Sequence, residues 1–504
     1  MTGKPVVYTI AGSDCSGGAG IQADILTLHA LGVHGCTITT ALTAQNRHGV
    51  QNIVPSSPQQ LRSEFSSLFL ETPPNAVKLG MLATPELTNT VAELLSYCDC
   101  PVICDPVMFA SAGGQLLKDE GKQALLQLLP WLTLLTPNAR EAELLTGMRV
   151  HDYASMEAAA ERLLELGAHA VLVTGGDLPN DPQHRYDFYL SRMHRFWLEG
   201  ETVSTPHSHG TGCTLSSAIA GFMAQGHPLR ESVVLGKMLV TAGLRAAGGI
   251  GESTGAVAHV RWEEVVQGGI GNLPRLLTSR PDLFERPRFA ACSSLGLYPV
   301  VDSVTWVEKL LMEGVETIQL RLKDLPEPEL RNQIKRAVAL QRHYDAQLFI
   351  NDHWQLALEY GAYGVHLGQE DLDSADLHAI ANAGVRLGTS NHSWYELARS
   401  HALVPSYLAL GPIYATTTKV MKFAPQGLSQ LREWVQMLSS HYPLTAIGGI
   451  DTQRASDVLA TGVESVAVVR AITEAKDYSR AVQILGAKVE AARSSRTAAE
   501  VFRP

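Results

Sequence analysis

Eight short apolar runs, at 297–301, 317–321, 347–350, 364–367, 386–389, 407–410, 444–447 and 465–469, are each followed by a helical or polar stretch. Strands that are apolar on both faces belong to parallel sheets covered by helices, and eight such units in succession predict a (β/α)8 TIM barrel. Barrel enzymes keep their chemistry at the carboxyl ends of the strands, so the polar residues test this reading. Gln319, Arg321 and Lys323 end the second run, and Asn351 and Asp352 the third. His366, Gln369 and Asp371 follow the fourth and Ser390 the fifth; Thr416, Thr418 and Lys419 lie beyond the sixth. Gly448 and Gly449 end the seventh, and Val469 and Arg470 the eighth. Chance placement would divide these residues between the two ends. All fall at one.

The types point to an anionic substrate. Arg321, Lys323 and Lys419 bring positive charge, while Asp352 and Asp371 suit Mg2+ on a diphosphate. Ser390, Thr416, Thr418 and the Gly448–Gly449 amides add neutral donors, and the last two loops of a barrel commonly bind phosphate.

The first half also alternates strands (6–10, 76–81, 101–105, 132–135, 170–173) with helical patterns such as 157–166, predicting a mostly parallel sheet between helix layers. Two glycine-rich stretches stand out. Gly18–Ala19–Gly20 nominally opens a dinucleotide fingerprint, but the loop is too long and no acidic residue ends a second strand. His209-Gly210-Thr211-Gly212-Cys213-Thr214 precedes an apolar helical pattern, so its amides and the helix dipole converge on an anion site. A helix cap with a buried cysteine fits the same letters; in the anion-site reading the field at Cys213 favours thiolate. Lys78, Asp105, Asn138, Glu141 and 175–177 fall at strand ends. Asp105 and Glu141 could hold Mg2+, although singly such residues are more often turns or caps.

With 504 residues the chain exceeds one core. Its net charge of −10 argues against nucleic acid, and no apolar run spans a bilayer. Seven scattered cysteines and a strand-like start at 6–10 predict a reduced, cytoplasmic protein. Gly and Pro clusters place a linker at 266–288, with a short docking helix around Leu276, Leu277, Leu283 and Phe284. The domains are then 1–265 and 289–490, with a tail at 491–504 that frays from Arg493.

Over 5–265 the chain resembles hydroxymethylpyrimidine (phosphomethylpyrimidine) kinases of the ribokinase-like superfamily, which have an αβα layered fold. The carriers are residues 11–24, 40–46, 78–81 and 105–108, Thr136-Pro137-Asn138 with Glu141, and 209–214. The resemblance implies that Gly12, Ala19, Asp24, Gln45 and Met81 bind the pyrimidine. It also implies that Asn138, Glu141, Thr174, Gly210, Thr211 and Gly212 meet Mg-ATP, with Cys213 as base. Where that family commonly has Lys-Gly-Gly-His, this chain has Thr174-Gly175-Gly176-Asp177. Thr174 resembles pyridoxal kinases, so a pyridoxal-type kinase, or a non-catalytic pyrimidine-binding domain, is the alternative for this half.

Over 290–480 the chain resembles thiamine-phosphate synthases, through the strand-end residues above and 365–371, 411–419 and 447–450. By that resemblance Asp352 and Asp371 hold Mg2+, and Gln319 meets the pyrimidine. Arg321, Lys323, Asn351, Ser390, Thr416, Thr418 and Lys419 hold pyrophosphate or thiazole phosphate, with Gly448, Gly449, Val469 and Arg470 as further contacts. Together the halves imply thiamine synthesis with ATP as co-substrate and small molecules as partners; a homo-oligomer is left open.

Overall fold

The computed structural model describes residues 3–46, 49–108, 119–176, 178, 181–249, 255–416 and 424–501. The chain divides into two compact units, Met1–Phe284 and Glu285–Pro504. Among the described residues of the first, ten strands form one sheet: β1 (Val6–Asp14), β2 (His34–Asn46), β3 (Gly49–Pro55), β4 (Ala76–Leu79), β5 (Val102–Cys104), β6 (Leu134–Leu135), β7 (Ala170–Thr174), β8 (His184–Ser191), β9 (Arg195–Glu201) and β10 (Arg275–Leu277). Their order is β10-β9-β8-β7-β6-β5-β4-β1-β2-β3. The block from β7 to β2 is parallel and the outer pairs are antiparallel.

Strands β4, β5 and β6 are buried along their whole length, which is why they read as unbroken apolar runs. The helix Thr211–Ala224 contacts β1, β4 and β5 and is buried from Cys213 to Phe222. Small residues allow that depth: a Cβ on Gly221 would lie 3.0 Å from Leu31 Cδ1, and one on Gly236 of the next helix 2.8 Å from Ile219 Cγ1. This packing fixes Gly210–Cys213 over the carboxyl ends of the parallel strands.

The second unit is a closed barrel of β11 (Leu297–Val301), β12 (Thr317–Leu320), β13 (Gln347–Asn351), β14 (Gly364–Leu367), β15 (Arg386–Asn391), β16 (Tyr407–Leu410), β17 (Leu444–Ile447) and β18 (Ser465–Val468), closed by parallel pairing of β11 with β18. Large and small residues alternate across its interior. A Cβ on Gly388 would come within 2.1 Å of the Tyr407 ring, and one on Gly364 within 2.4 Å of Phe349. These glycines make room for the aromatic cluster of Tyr298, Phe349 and Tyr407.

Two expectations need correction. Leu276 and Leu277 do not form a docking helix; they lie in β10, opposite Leu198 and Trp197 of β9. The chain does not fray from Arg493, because the helix Tyr478–Val501 runs through it. No helix among the described residues is long and apolar enough to cross a membrane.

Candidate active sites

In the first unit the two glycine-rich stretches are packed backbone to backbone. Strand β1 ends at Asp14, whose carboxylate accepts from the Ser16 N–H (2.9 Å), the Ser16 hydroxyl (2.8 Å) and the Ala19 N–H (2.9 Å), curling the loop around it. His209 Nε2 lies 3.1 Å from the same group. Burial alone would raise the Asp14 carboxyl, but hydrogen bonds from His209, Gln45 and Ser16 outweigh it and hold the group well below the usual range. Gly210 has φ +81°, and a Cβ there would sit 2.0 Å from the Gly18 carbonyl oxygen. A Cβ on Gly12 would lie 2.5 Å from Met81 Cε. Gly12, Ala19, Gln45, Met81 and Gly210 thus gather around one loop.

Asp24 does not join them. It is 0% exposed, and both its oxygens are saturated: Lys78 Nζ reaches each at 2.8 Å, Thr9 donates at 2.5 Å and Ser217 at 2.7 Å. No lone pair is left for a pyrimidine, so Asp24 anchors Lys78. Burial opposes the Lys78 ammonium, but the charge of Asp24, followed by that of Asp105, outweighs it and keeps it protonated.

The thiolate expected at Cys213 is also corrected. The side chain is 9% exposed, and burial pushes its pKa up to about 12. Lys78 pulls the other way, while Asp105 and Asp24 add to the rise. Relative to an ordinary thiol, ionisation costs roughly 4 kcal/mol more. Depth defeats the helix field here. Asp105 is raised too, by burial first, and it hydrogen-bonds Cys213.

Asn138 and Glu141 form a capping box on the helix Ala139–Thr146. Glu141 accepts from the Asn138 N–H at 3.0 Å and the Met108 N–H at 3.1 Å, one on each oxygen. Each of its oxygens therefore carries one backbone hydrogen bond. Among the described residues no group of three or more His, Cys, Asp and Glu is arranged to hold a metal. Thr174 closes β7, its N–H bonded to the Pro137 carbonyl at 2.9 Å. Sequence reasoning missed its neighbours. Asp187 accepts from the Gly175 N–H at 3.1 Å and from Lys237 Nζ at 2.5 Å, so a lysine from another helix reaches the strand end where residue 174 carries none.

In the barrel, a cavity of about 750 Å3 opens at the carboxyl ends of the strands. Gln319, Arg321, Lys323, Asn351, Asp352, Asp371, Ser390, Thr416, Gly448, Gly449, Val469 and Arg470 all line it. Thr418 and Lys419 lie outside the described residues. Asp352 adopts φ +63°, an unusual backbone for a non-glycine residue, directly after β13. Its carboxylate is 3.8 Å from Lys323 Nζ. Asp371 has its carboxyl raised by burial and then by Asp352, the mark of two carboxylates sharing one place. Such a pair fits a divalent cation, whose charge would relieve the repulsion. Gly448 and Gly449 have φ +105° and +65°, and a Cβ on either would strike Pro412 or the Ala415 carbonyl. His366 and Arg454 also line the cavity; Arg454 donates to the Gly449 carbonyl at 2.8 Å. His366 ended a strand and was visible in the sequence, whereas Arg454 sits in a loop with no motif to mark it.

A layered parallel sheet with a glycine-rich turn opening a buried helix, and a barrel with a charged cavity at its strand ends, are the architecture of a two-domain enzyme acting on small anionic substrates. Residues 14–258 match the family model of phosphomethylpyrimidine kinase, and 297–472 that of thiamine monophosphate synthase. The chain belongs to the thiamine-phosphate synthase family and carries a phosphomethylpyrimidine kinase domain ahead of it, making it a bifunctional enzyme of thiamine biosynthesis. It is 57% identical over 187 residues to the thiamine-phosphate synthase of Photorhabdus laumondii, covering 37% of this chain and 86% of that one. Against the Pectobacterium atrosepticum enzyme it is 56% identical over 196 residues, covering 39% and 92%. Among solved structures, phosphomethylpyrimidine kinase from Clostridium difficile is 37% identical, covering 47% of this chain and 98% of that one, with a TM-score of 0.42. Pyridoxal kinase from Staphylococcus aureus is 28% identical, covering 52% and 96%, with a TM-score of 0.48.

Proposed function

We propose that the first domain (1–265) uses Mg-ATP to phosphorylate 4-amino-5-hydroxymethyl-2-methylpyrimidine and then its phosphate. The second domain (289–490), beyond a stretch (266–288) that contributes β10 to the first unit's sheet, joins the resulting diphosphate to 4-methyl-5-(2-phosphoethyl)thiazole. The products are thiamine phosphate and pyrophosphate, made in the cytoplasm, where ATP is at hand. What carries this reading is the barrel cavity, which gathers the cations, paired carboxylates and glycine amides that a diphosphate leaving group requires.

In the kinase, Gly12, Ala19, Gln45 and Met81 hold the pyrimidine. The amides of Gly210–Gly212 face the transferring phosphoryl group, and Asn138, Glu141 and Thr174 border the nucleotide, with Mg2+ met through water. Phosphoryl transfer depends on position and neutralised charge, so a protonated Cys213 is no obstacle to bond formation. The substrate proton then needs an acceptor. Cys213 passes its own proton to Asp105 and takes the substrate's, an assignment that gives Asp105 to the thiol and not to metal.

In the synthase, the bond from the pyrimidine methylene to the diphosphate oxygen breaks with its electron pair leaving on oxygen, and the thiazole nitrogen lone pair forms the new C–N bond. Mg2+ held by Asp352 and Asp371 would supply further positive charge to the diphosphate. Arg321, Lys323, Asn351, Ser390, Thr416, Thr418 and Lys419 bind the phosphates, while Gln319 orients the pyrimidine. The first experiment is a single reaction of purified protein, Mg-ATP, hydroxymethylpyrimidine and thiazole phosphate, read as fluorescent thiochrome. Product is expected. If product forms only when the pyrimidine diphosphate is supplied, the kinase reading fails; if none forms even then, the synthase reading fails.

A further inference from the structure

A continuous hydrogen-bonded chain crosses the barrel interior from Gln319 to Ser390. Gln319 Nε2 lies 3.2 Å from the Tyr298 hydroxyl, which is 2.7 Å from the Tyr407 hydroxyl. Tyr407 is 2.7 Å from His366 Nδ1, and His366 Nε2 is 2.8 Å from Ser390 Oγ. Both phenols are fully buried in the aromatic cluster, and burial pushes both well above the usual tyrosine range, so each keeps a proton that must find an acceptor.

The direction of the chain follows by elimination. The Gln319 amide nitrogen can only donate, so the hydrogen-bonding partner left to accept the Tyr298 proton is the Tyr407 oxygen. Tyr407 must then give its own proton to His366 Nδ1. That requires a neutral imidazole carrying its hydrogen on Nε2, which donates to Ser390 Oγ. The reverse direction would bury the Tyr298 hydroxyl with no acceptor.

We infer that Tyr298, Tyr407 and His366 are positioning residues that fix Ser390 as an outward-facing proton donor on the cavity wall. The inference rests on the synthase reading, in which Ser390 meets the departing diphosphate. Charge grows on that oxygen as the C–O bond breaks, so a donor whose orientation is fixed in advance lowers the barrier without strengthening ground-state binding. The two ends of the chain touch the two halves of one substrate: Gln319 the pyrimidine ring and Ser390 the group that leaves it.

The test uses the full-length protein with pyrimidine diphosphate and thiazole phosphate supplied. Tyr407→Phe and Tyr298→Phe keep the rings that fill the core and remove only the hydroxyls. Each is expected to lower kcat by about 10- to 100-fold while KM for the pyrimidine diphosphate changes by about twofold or less. Because they interrupt one chain, the double variant should lose little more than either alone. Histidine-15N spectra, with His366 assigned by its loss in His366→Gln, should show the ring proton on Nε2. A proton on Nδ1, or kcat within about twofold of wild type in both Phe variants, overturns the proposal while the active wild type upholds the synthase reading. If one Phe variant unfolds, the other and the wild-type tautomer still decide. An inactive wild type removes the reading itself.

Discussion

At Cys213, two local effects compete, and depth prevails. The helix start favours the anion, but a side chain 9% exposed among Asp105 and Asp24 holds its proton up to about pH 12. The protonated thiol stabilises the fold below about pH 9, and that contribution is lost as pH rises from 9 towards 12, the free and folded values. Iodoacetamide should therefore alkylate the exposed Cys15 at pH 8 and spare Cys213 until the medium is strongly alkaline. Peptide mass mapping showing Cys213 modified as fast as Cys15 at pH 8 would refute this. The sequence marked both glycine stretches, yet it could not show that Asp24 is consumed by Lys78 and Ser217. Those partners are 54 and 193 positions away, a distance that local pattern does not encode. Glu141 was legible as a cap or a ligand from the same four letters, and its two backbone bonds show the cap.

Among elements, the turn entering the helix Thr211–Ala224 tolerates little change. Gly210 needs both a positive φ and the space that a Cβ would take from the Gly18 carbonyl. Gly210→Ala is expected to cost about 1–3 kcal/mol and to force the two glycine stretches apart. Kinase turnover should fall at least tenfold, by about the rate a misplaced phosphoryl group loses, while synthase turnover on supplied diphosphate is unchanged. Kinase activity within twofold of wild type would show that the contact is dispensable. All eight barrel strands could be read from apolar runs, because strands covered on both faces leave a continuous signal. Strand β10 left none: three residues between prolines carry no period, and its identity comes from pairing with β9. The helix through Arg493 was missed because its polar, alanine-rich letters also suit a loose end.

Across the molecule, the two units have separate sheets, and Asp352 and Asp371 line the cavity of the barrel. Asp352→Ala should accordingly abolish thiamine phosphate formation while leaving ATP consumption with hydroxymethylpyrimidine at the wild-type rate. Loss of both activities would show that the units are not functionally separable. One polypeptide also carries both units, so every ribosomal pass delivers them in equal number. Gene dosage and promoter strength cannot then tune one step against the next. Any mismatch of flux has to be corrected in turnover itself, which places the pressure of metabolic balance on individual side chains at the two mouths.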